Sequence, residues 1–244
     1  MRRATPGGAL QPAHAAHAAD PPLSLAQILT AAEAVLRRFG PAKATVVDVA
    51  RALGVSHTAV YRHVASKAEL RDLVVGRWLE ATLQPLRAIA AAPGPAPERL
   101  RQLIDALIAV KRRRAAEDPE LFTAYRALAA ETQAVVARHL EELVELTAAV
   151  LRAGMAEGAF RAGDPTAAGR AVLFATSRFH HPAHAAEWQD PATDAAYQDV
   201  WRLLSSGLAA APDLARAVPY ASSPLIPAQA PAMLQTCNLQ TWRS

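Results

Sequence analysis

Several residue types that mark large protein classes are scarce in this chain of 244 residues. Its one cysteine, Cys237, excludes an intramolecular disulfide framework and leaves no cysteine cluster for a structural metal, which fits a reducing compartment. Aromatic residues make up only 5% of the chain. No segment reaches the length of about 18 uninterrupted apolar residues that a membrane helix needs, and the N-terminus has no apolar signal core. We therefore expect a soluble cytoplasmic protein without a membrane segment.

Sequence motifs of the common enzyme classes are also missing. The chain has no glycine-rich phosphate loop, no G-x-S-x-G nucleophile elbow and no HExxH zinc motif. No strand pattern is present that would build an α/β sheet around an active site. We therefore predict neither a catalytic site nor a cofactor.

Apolar residues, in contrast, are abundant and regularly spaced. They make up 52% of the chain and recur at three- and four-residue intervals, the spacing of amphipathic helices. This pattern predicts an all-α fold. Residues 1–80 contain ten Lys/Arg and six Asp/Glu, whereas residues 81–244 contain sixteen of each. The excess positive charge in the first third favours a polyanionic partner, with a chance distribution as the alternative.

Prolines divide the chain into segments. Twelve of the eighteen lie in residues 1–23, in residues 93–97 or after residue 211. The first and last of these regions lack helical periodicity, so we expect disordered tails at 1–22 and 212–244. Between the tails, the prolines of residues 93–97 separate two helical units.

Helix boundaries are indicated by capping residues. Four helices are predicted to start within about forty residues, at Ser24, Thr45, Ser56 and Ser66. The first of them should end at Gly40 and Pro41, and the fourth should reach about Ala90 with a possible kink at Pro85. Pro97 is expected at the first position of the next helix.

In the second unit, the basic run over residues 111–114 ends a predicted helix. We interpret it as a solvated helix end, which the helix dipole favours, with a nucleic-acid patch as the alternative. Further on, Asp164 and Asp190 each precede a proline, and this pairing predicts two last helices over about 165–181 and 191–210. Because these two helices would otherwise expose an apolar face, we expect them to pair two subunits.

The most informative segment is TVVDVARALGVSHTAVYRHV, residues 45–64. Ala50, Gly54 and Val60 have the spacing A-x3-G-x5-V that a helix-turn-helix requires. A small residue lets the two helices approach, glycine takes the positive φ of the tight turn, and valine fills the angle between the helices. Such a motif places the first turn of its second helix at the base edges of the major groove.

At these positions the chain resembles the TetR (tetracycline-repressor) family of bacterial transcriptional regulators. The resemblance covers about residues 22–82. It rests on twelve spaced residues: Thr45, Val49, Ala50, Gly54, Val55, Ser56, Val60, Tyr61, His63, Val64, Lys67 and Leu70. Beyond residue 82 only the general helical layout is similar. One position differs, because Val47 stands where some family members have a basic side chain that contacts a base.

The resemblance implies a DNA-binding domain over residues 22–82, followed by a C-terminal domain over residues 83–211 for dimerisation and ligand binding. It implies that Tyr61, His63 and Lys67 contact the phosphate backbone and that His57, Thr58 and Ala59 approach bases. The full set of predicted DNA-contacting residues is Thr45, Ser56, His57, Thr58, Ala59, Tyr61, Arg62, His63 and Lys67. The expected partners are operator DNA, a small-molecule effector and a second copy of the chain. An activator, or a DNA-binding protein without an effector, remains the alternative to a ligand-released repressor.

Aromatic and histidine residues of the second unit are the candidates for effector binding. The predicted ligand-binding residues are Phe122, Tyr125, Phe174, Arg178, His180 and His181. Simple core packing is the alternative for the aromatics. His180, His181 and His184 form an HHxxH group, which we interpret as capping or packing; a metal or ligand role is the alternative. No metal site is predicted.

Overall fold

The computed structural model describes residues 22–210, and this part of the chain is built from helices. Along it lie α1 (Leu25–Lys43), α2 (Val46–Leu53), α3 (His57–Tyr61), α4 (Lys67–Ala91), α5 (Ala96–Glu117), α6 (Pro119–Ala129), α7 (Gln133–Ala156), α8 (Pro165–Ala175), α9 (Ser177–His180), a 3-10 helix (Pro182–Glu187) and α10 (Pro191–Leu208). The β structure of these residues is limited to one isolated bridge between Phe160 and Ala209. The all-α prediction is therefore confirmed. Apart from Pro22, the tails predicted at 1–22 and 212–244 lie outside the described residues.

The first four helices begin at the residues predicted to cap them. Each of these four side-chain hydroxyls accepts a hydrogen bond from the backbone N–H three residues further on: Ser24, Thr45, Ser56 and Ser66. Such caps satisfy N–H groups that the first helical turn leaves without an internal partner. In the cap of α4, the carboxylate of Glu69 accepts from the N–H of Ala65, one residue before the cap.

Proline and glycine positions differ in detail from the prediction. Gly40 takes φ 71° and kinks α1, but one further turn continues past Pro41 to Lys43. Pro85 lies inside α4, which extends to Ala91. Pro97 occupies the second position of α5, because Pro95 caps this helix and Ala96 begins it.

A break near residue 176 divides the helix predicted over 165–181. The Oγ1 of Thr176 donates to the carbonyl of Val172 at 2.8 Å, and α8 ends at Ala175. Hydroxyl bonds of this kind compete with the helical backbone pattern, which helps to explain the break. The chain continues through α9 and the 3-10 helix before Asp190 caps α10 as predicted.

Two hydrophobic cores organise the helices, and α4 contributes to both. Its first half packs Leu70, Val74 and Leu79 with α1, α2 and α3, and its second half packs Leu83 and Leu86 with α5, α7, α8, α9 and α10. The helix α6, which falls in the predicted second unit, adds Leu121, Ala124, Tyr125 and Leu128 to the first core. The helix α7 adds Val135 to the first core and Leu143, Val150 and Leu151 to the second, so α4 and α7 connect the two cores. None of the helices in residues 22–210 has the combination of length and apolar composition needed to cross a bilayer.

Candidate DNA interface and effector site

The α2–α3 corner has the packing that the sequence spacing predicts. Ala50 is 3% exposed and Val60 is fully buried, so small and branched side chains fill the angle between the helices. Gly54 ends α2 with φ 68° and ψ 23°, in the left-handed region, and its N–H donates to the carbonyl of Ala50. A side chain at this position would be strained by the backbone conformation itself. The corner therefore holds α3 in a fixed orientation.

Most of the predicted DNA-contacting side chains are exposed. Eight of the nine are exposed, namely Thr45, Ser56, His57, Thr58, Tyr61, Arg62, His63 and Lys67, while Ala59 is half-buried. The rings of His57 and Tyr61 meet edge to face at 6.5 Å. Within residues 22–210, the side chains of Arg62, His63 and Lys67 have no hydrogen bond or ion pair. Three groups that can carry positive charge are thus available to an anionic partner.

Thr45 and Ser56 have a structural role in addition to any DNA contact. The hydroxyl of Thr45 donates to Asp48 Oδ2 at 2.6 Å, and this bond lowers the pKa of the Asp48 carboxyl. Ser56 Oγ accepts from the N–H of Ala59 at 3.2 Å. Val47 is 51% exposed, so the position that differs from the family pattern presents an apolar group to solvent.

Two of the predicted ligand-binding residues surround Trp78 of α4. Tyr125 stacks on Trp78 with ring centroids 4.8 Å apart, and Phe122 lies 6.2 Å from the same ring. Phe122 also contacts Trp188 at 6.1 Å. Beside them, a cleft of about 260 Å³ is lined by Trp78, Phe122 and Tyr125 together with charged residues, including Glu33 and Arg114.

The other predicted ligand residues do not join this cluster. Phe174 is 61% exposed, because Val172 and Leu173 occupy the buried positions of α8. Arg178 is exposed and forms an ion pair with Glu187 at 2.7 Å. Neither side chain lines the cleft beside Trp78, and a ligand-binding role for Phe174 and Arg178 stays a prediction.

The three histidines of the HHxxH group make local contacts, and the rings of His181 and His184 meet edge to face at 6.4 Å. His180 Nε2 lies 3.3 Å from Thr176 Oγ1, and His181 Nδ1 accepts from the N–H of Ala183 at 3.3 Å, which caps the 3-10 helix. His184 Nδ1 is 3.2 Å from Glu187 Oε1. These contacts agree with the capping and packing interpretation. Residues 22–210 contain no group of three His, Cys, Asp or Glu side chains placed to hold a metal ion.

Two buried basic residues were missed by the sequence analysis. Lys111 is 5% exposed, with its Nζ 4.8 Å from the centroid of the Trp78 ring. His139 of α7 is 6% exposed, and neither of its ring nitrogens has a hydrogen-bond partner within the described chain. Burial lowers the pKa of Lys111 to about 7 and that of His139 to about 2.

The interpretation of residues 111–114 as a solvated helix end is wrong for three of the four. Besides buried Lys111, Arg112 pairs with Asp194 at 2.6 Å, and Arg114 donates to the carbonyl of Trp78 at 2.7 Å. The spacing of apolar residues around Lys111 and His139 indicates that both are buried. Lys111 follows Leu107 and Ile108 by four and three residues, and His139 lies between Val135 and Leu143 at intervals of four, so both continue a buried stripe.

Two family models match most of the described chain. One, described as "Bacterial regulatory proteins, tetR family", matches residues 28–74, and the other, "Tetracyclin repressor-like, C-terminal domain", matches residues 96–201. The chain belongs to the TetR family. It is thus a transcriptional regulator with a helix-turn-helix DNA-binding domain. No curated protein sequence matches the chain.

Solved structures of regulators share this TetR-family fold. The fatty acid regulator FadR from Bacillus subtilis, solved in complex with stearoyl-CoA, is 18% identical with a TM-score of 0.57, and the match covers 76% of this chain and 100% of FadR. SmeT, the repressor of the Stenotrophomonas maltophilia multidrug efflux pump SmeDEF, is 20% identical with a TM-score of 0.59 and coverage of 77% and 91%. A TetR regulator from Haloarcula marismortui is 22% identical, again with a TM-score of 0.59, and covers 75% and 97%.

Polar contacts join α1 to α4 and α6 beside Trp78 in this TetR-family protein. Arg37 of α1 donates to Asp118, the cap of α6, at 2.9 Å. Glu33 of α1 pairs with Arg77 of α4 at 2.7 Å and accepts from the hydroxyl of Tyr125. The Trp78 cluster is thus linked to α1 as well as to α4.

Proposed function

We propose that this TetR-family protein is a repressor that binds an inverted-repeat operator as a homodimer and is released from it by a small-molecule effector. The observation that carries the proposal is the exposed, unpaired set of Arg62, His63 and Lys67 beside a fixed α3. Basic side chains without internal partners are suited to phosphate contacts.

Contacts with DNA would be divided between backbone and bases. Tyr61, His63 and Lys67 would position the domain on phosphates, with Thr45, Ser56 and Arg62 supporting them from the same surface. His57, Thr58 and Ala59 form the first turn of α3, so they would approach the base edges in the major groove.

The last helices provide the proposed dimer interface. Of the 18 residues of α10 only Thr193, Tyr197 and Leu208 are buried, and Leu203 is 77% exposed. On α8, Phe174 is 61% exposed. An apolar surface of this kind is best covered by an identical subunit, because a two-fold axis brings the same helices together.

An effector bound beside Trp78 would act through α4. This helix begins with Lys67 at the proposed DNA surface and carries Trp78 to the cleft between α1, α4, α5 and α6. A ligand that displaces Trp78 would therefore move Lys67 relative to α3. Stearoyl-CoA in the FadR structure and the repressor role of SmeT support an effector-responsive repressor, since the fold is shared.

Footprinting and sedimentation test this proposal. The purified protein should protect an inverted repeat with half-site centres separated by about 34–36 Å or slightly more, and a bound effector should abolish the protection. Leu203→Lys should shift the dimer towards monomer in analytical ultracentrifugation and weaken operator binding. A single asymmetric half-site, or a wild-type monomer at micromolar concentration, would contradict the proposed dimer. Transcription that requires bound protein would indicate an activator.

A further inference from the structure

Buried basic side chains gather between α5, α7 and α9 without a matching anion. Lys111 and His139 are each more than nine-tenths buried, and His180 lies close enough to both that its pKa is lowered by Lys111 and in turn lowers that of His139. Neither His139 nitrogen has a partner, and Lys111 has no ion pair or hydrogen bond with any described residue. Among the described residues, Lys111 Nζ makes a cation–π contact with the ring of Trp78.

Acidic side chains of the surrounding helices are already engaged. Glu142 of α7 and Glu80 of α4 both bind Arg87, and the charge of Arg87 lowers the pKa of His139. Glu33 is held by Arg77 and Tyr125. The remaining charged neighbours are themselves basic, namely Arg114 near Lys111, with His181 and Arg126 beyond His180. The described chain therefore supplies no carboxylate to this cluster.

Burying a polar group without a hydrogen-bond partner lowers the free energy of unfolding. A buried amine therefore destabilises the protein relative to a hydrocarbon side chain of the same length. A leucine or methionine at position 111 would continue the apolar stripe of α5 without this cost. A lysine at this position is therefore unfavourable for stability alone. Binding an anion would supply the missing partner, since charge-assisted hydrogen bonds are the strong ones.

We propose that Lys111 and His139, beside His180, form the anion subsite of the effector pocket, and that they bind the carboxylate of an effector with an apolar or aromatic body. This inference rests on the proposed effector response. Trp78, whose ring lies 4.8 Å from Lys111 Nζ, also lines the cleft together with Phe122, and these two rings provide apolar surface for the body of the ligand. A carboxylate fits better than a phosphate dianion, because two negative charges would be harder to desolvate in a buried site.

The direct test uses small acids paired with their neutral amides. Decanoate, phenylacetate and naphthoate, each beside its primary amide, are titrated into the full-length protein by calorimetry. At least one acid should bind about tenfold or more tightly than its amide, the preference expected for a charge-assisted bond in a buried site. Lys111→Met should reduce that preference to about twofold or less, and His139→Gln should reduce it in part.

Lys43→Met is the matched control, because Lys43 is exposed in the last turn of α1. This variant should retain the full preference for the acid. A second readout is proton uptake. Burial holds the pKa of Lys111 near 7, so at pH 8 an acid that pairs with it should draw a proton from the buffer, and titrations in two buffers of different ionisation heat measure that uptake. Lys111→Met should remove it.

Equal affinities for acids and amides, or no binding of any acid, would overturn the anion subsite. A preference that survives both Lys111→Met and His139→Gln would do the same. Operator binding is followed separately in a gel-shift assay. Release of the operator by an amide but not by its acid would refute the subsite while supporting the repressor. Binding of acids by a protein that recognises no operator would refute the repressor alone.

Discussion

Tyr125 of α6 donates its hydroxyl proton to Glu33 of α1 across 2.8 Å, and the same tyrosine ring stacks on Trp78 of α4 at 4.8 Å. One side chain thus contacts the helix that precedes the helix-turn-helix and the helix that follows it. Glu33 also pairs with Arg77, the neighbour of Trp78 in the sequence. A displacement of Trp78 would therefore be transmitted to α1 and to α4 together, through contacts with defined geometry.

Tyr125→Phe should separate this coupling from DNA binding itself. The variant keeps the stacked ring and the Glu33–Arg77 pair, but it loses one hydrogen bond, so the free energy of unfolding should fall by about 0.5–1.5 kcal/mol. Operator affinity without effector should change little, whereas the loss of affinity caused by an effector should become smaller. Gel shifts with and without effector measure both quantities.

Tyr197→Phe is the control for this substitution. Tyr197 of α10 donates to Asp105 of α5 at 2.6 Å, so its variant loses a comparable hydrogen bond within the second core, away from α1. It should lose similar stability but keep the full effector response. Equal effector responses of the two variants would show that the Tyr125–Glu33 bond does not carry the coupling.

Lys111→Met should stabilise the free protein. Burial lowers the folded-state pKa of Lys111 to about 7, below its usual 10.5, so the unfolded chain binds more protons between these two pH values. The free energy of unfolding therefore rises with pH between these two values. Below pH 7 the buried lysine destabilises the protein to its full extent. At pH 7 the methionine variant should unfold with a free energy roughly 2–4 kcal/mol higher than that of the wild type.

The pH dependence of this difference checks the cause. Urea unfolding at pH 7 and pH 9 should show the advantage of Lys111→Met shrinking by about half at the higher pH, because the lysine is then largely neutral in the folded state and closer to neutral in the unfolded one. A constant difference would indicate improved packing instead of a buried amine. A stabilised variant with impaired acid binding would agree with a residue kept for function.

Gly154 of α7 is needed for close packing between helices. A Cβ at this position would overlap the ring of Phe160 and lie 2.8 Å from Ala96 Cβ, so Gly154→Ala should lower the free energy of unfolding by about 1–3 kcal/mol. Gly76→Ala in α4 is the matched control. Its Cβ would approach only Val135 Cγ1, at 3.8 Å, so the better helix propensity of alanine should add about 0.5–1 kcal/mol. Thermal unfolding should show a lower midpoint than the wild type for Gly154→Ala and a higher midpoint for Gly76→Ala.

Local signals made the first helices and the motif predictable from sequence. Capping at Ser24, Thr45, Ser56 and Ser66 depends on a hydroxyl and a backbone N–H only three residues apart, and the positive φ of Gly54 is a property of one residue in a tight turn. The buried positions of Ala50 and Val60 follow from the same short segment. None of these features needs knowledge of a distant part of the chain.

Residues of the proposed effector site were harder to predict, because their surroundings come from separate helices. The burial of Lys111 depends on Trp78 from α4 and on α7 and α9, and a basic run at a helix end looks the same in sequence whether it is solvated or covered. Phe174 and Phe122 are equally apolar, yet only Phe122 is buried. The predicted continuous helix over 165–181 is divided at Thr176 into α8 and α9.

The last prediction separates the positioning of DNA from the recognition of its sequence. Lys67 is exposed at the first turn of α4, whereas His57 and Thr58 begin α3. Lys67→Ala should weaken binding to operator and to random DNA alike, and it should reduce the slope of log affinity against log salt by about 1, because one fewer counterion is released. Lys43→Ala, which removes an exposed lysine that is not among the predicted contacts, should have little effect on the slope.

His57→Ala and Thr58→Ala should instead lower the ratio of operator to random affinity, by roughly 1–3 kcal/mol for a good base contact and by less for a single or water-mediated bond. Their salt slopes should stay close to that of the wild type, since neither side chain is expected to meet a phosphate. Fluorescence anisotropy with operator and random duplexes at several salt concentrations yields both quantities for each variant. If Lys67→Ala abolished sequence preference while both α3 variants kept it, the base-recognising surface would lie at the start of α4, and the proposed roles of α3 and Lys67 would have to be exchanged.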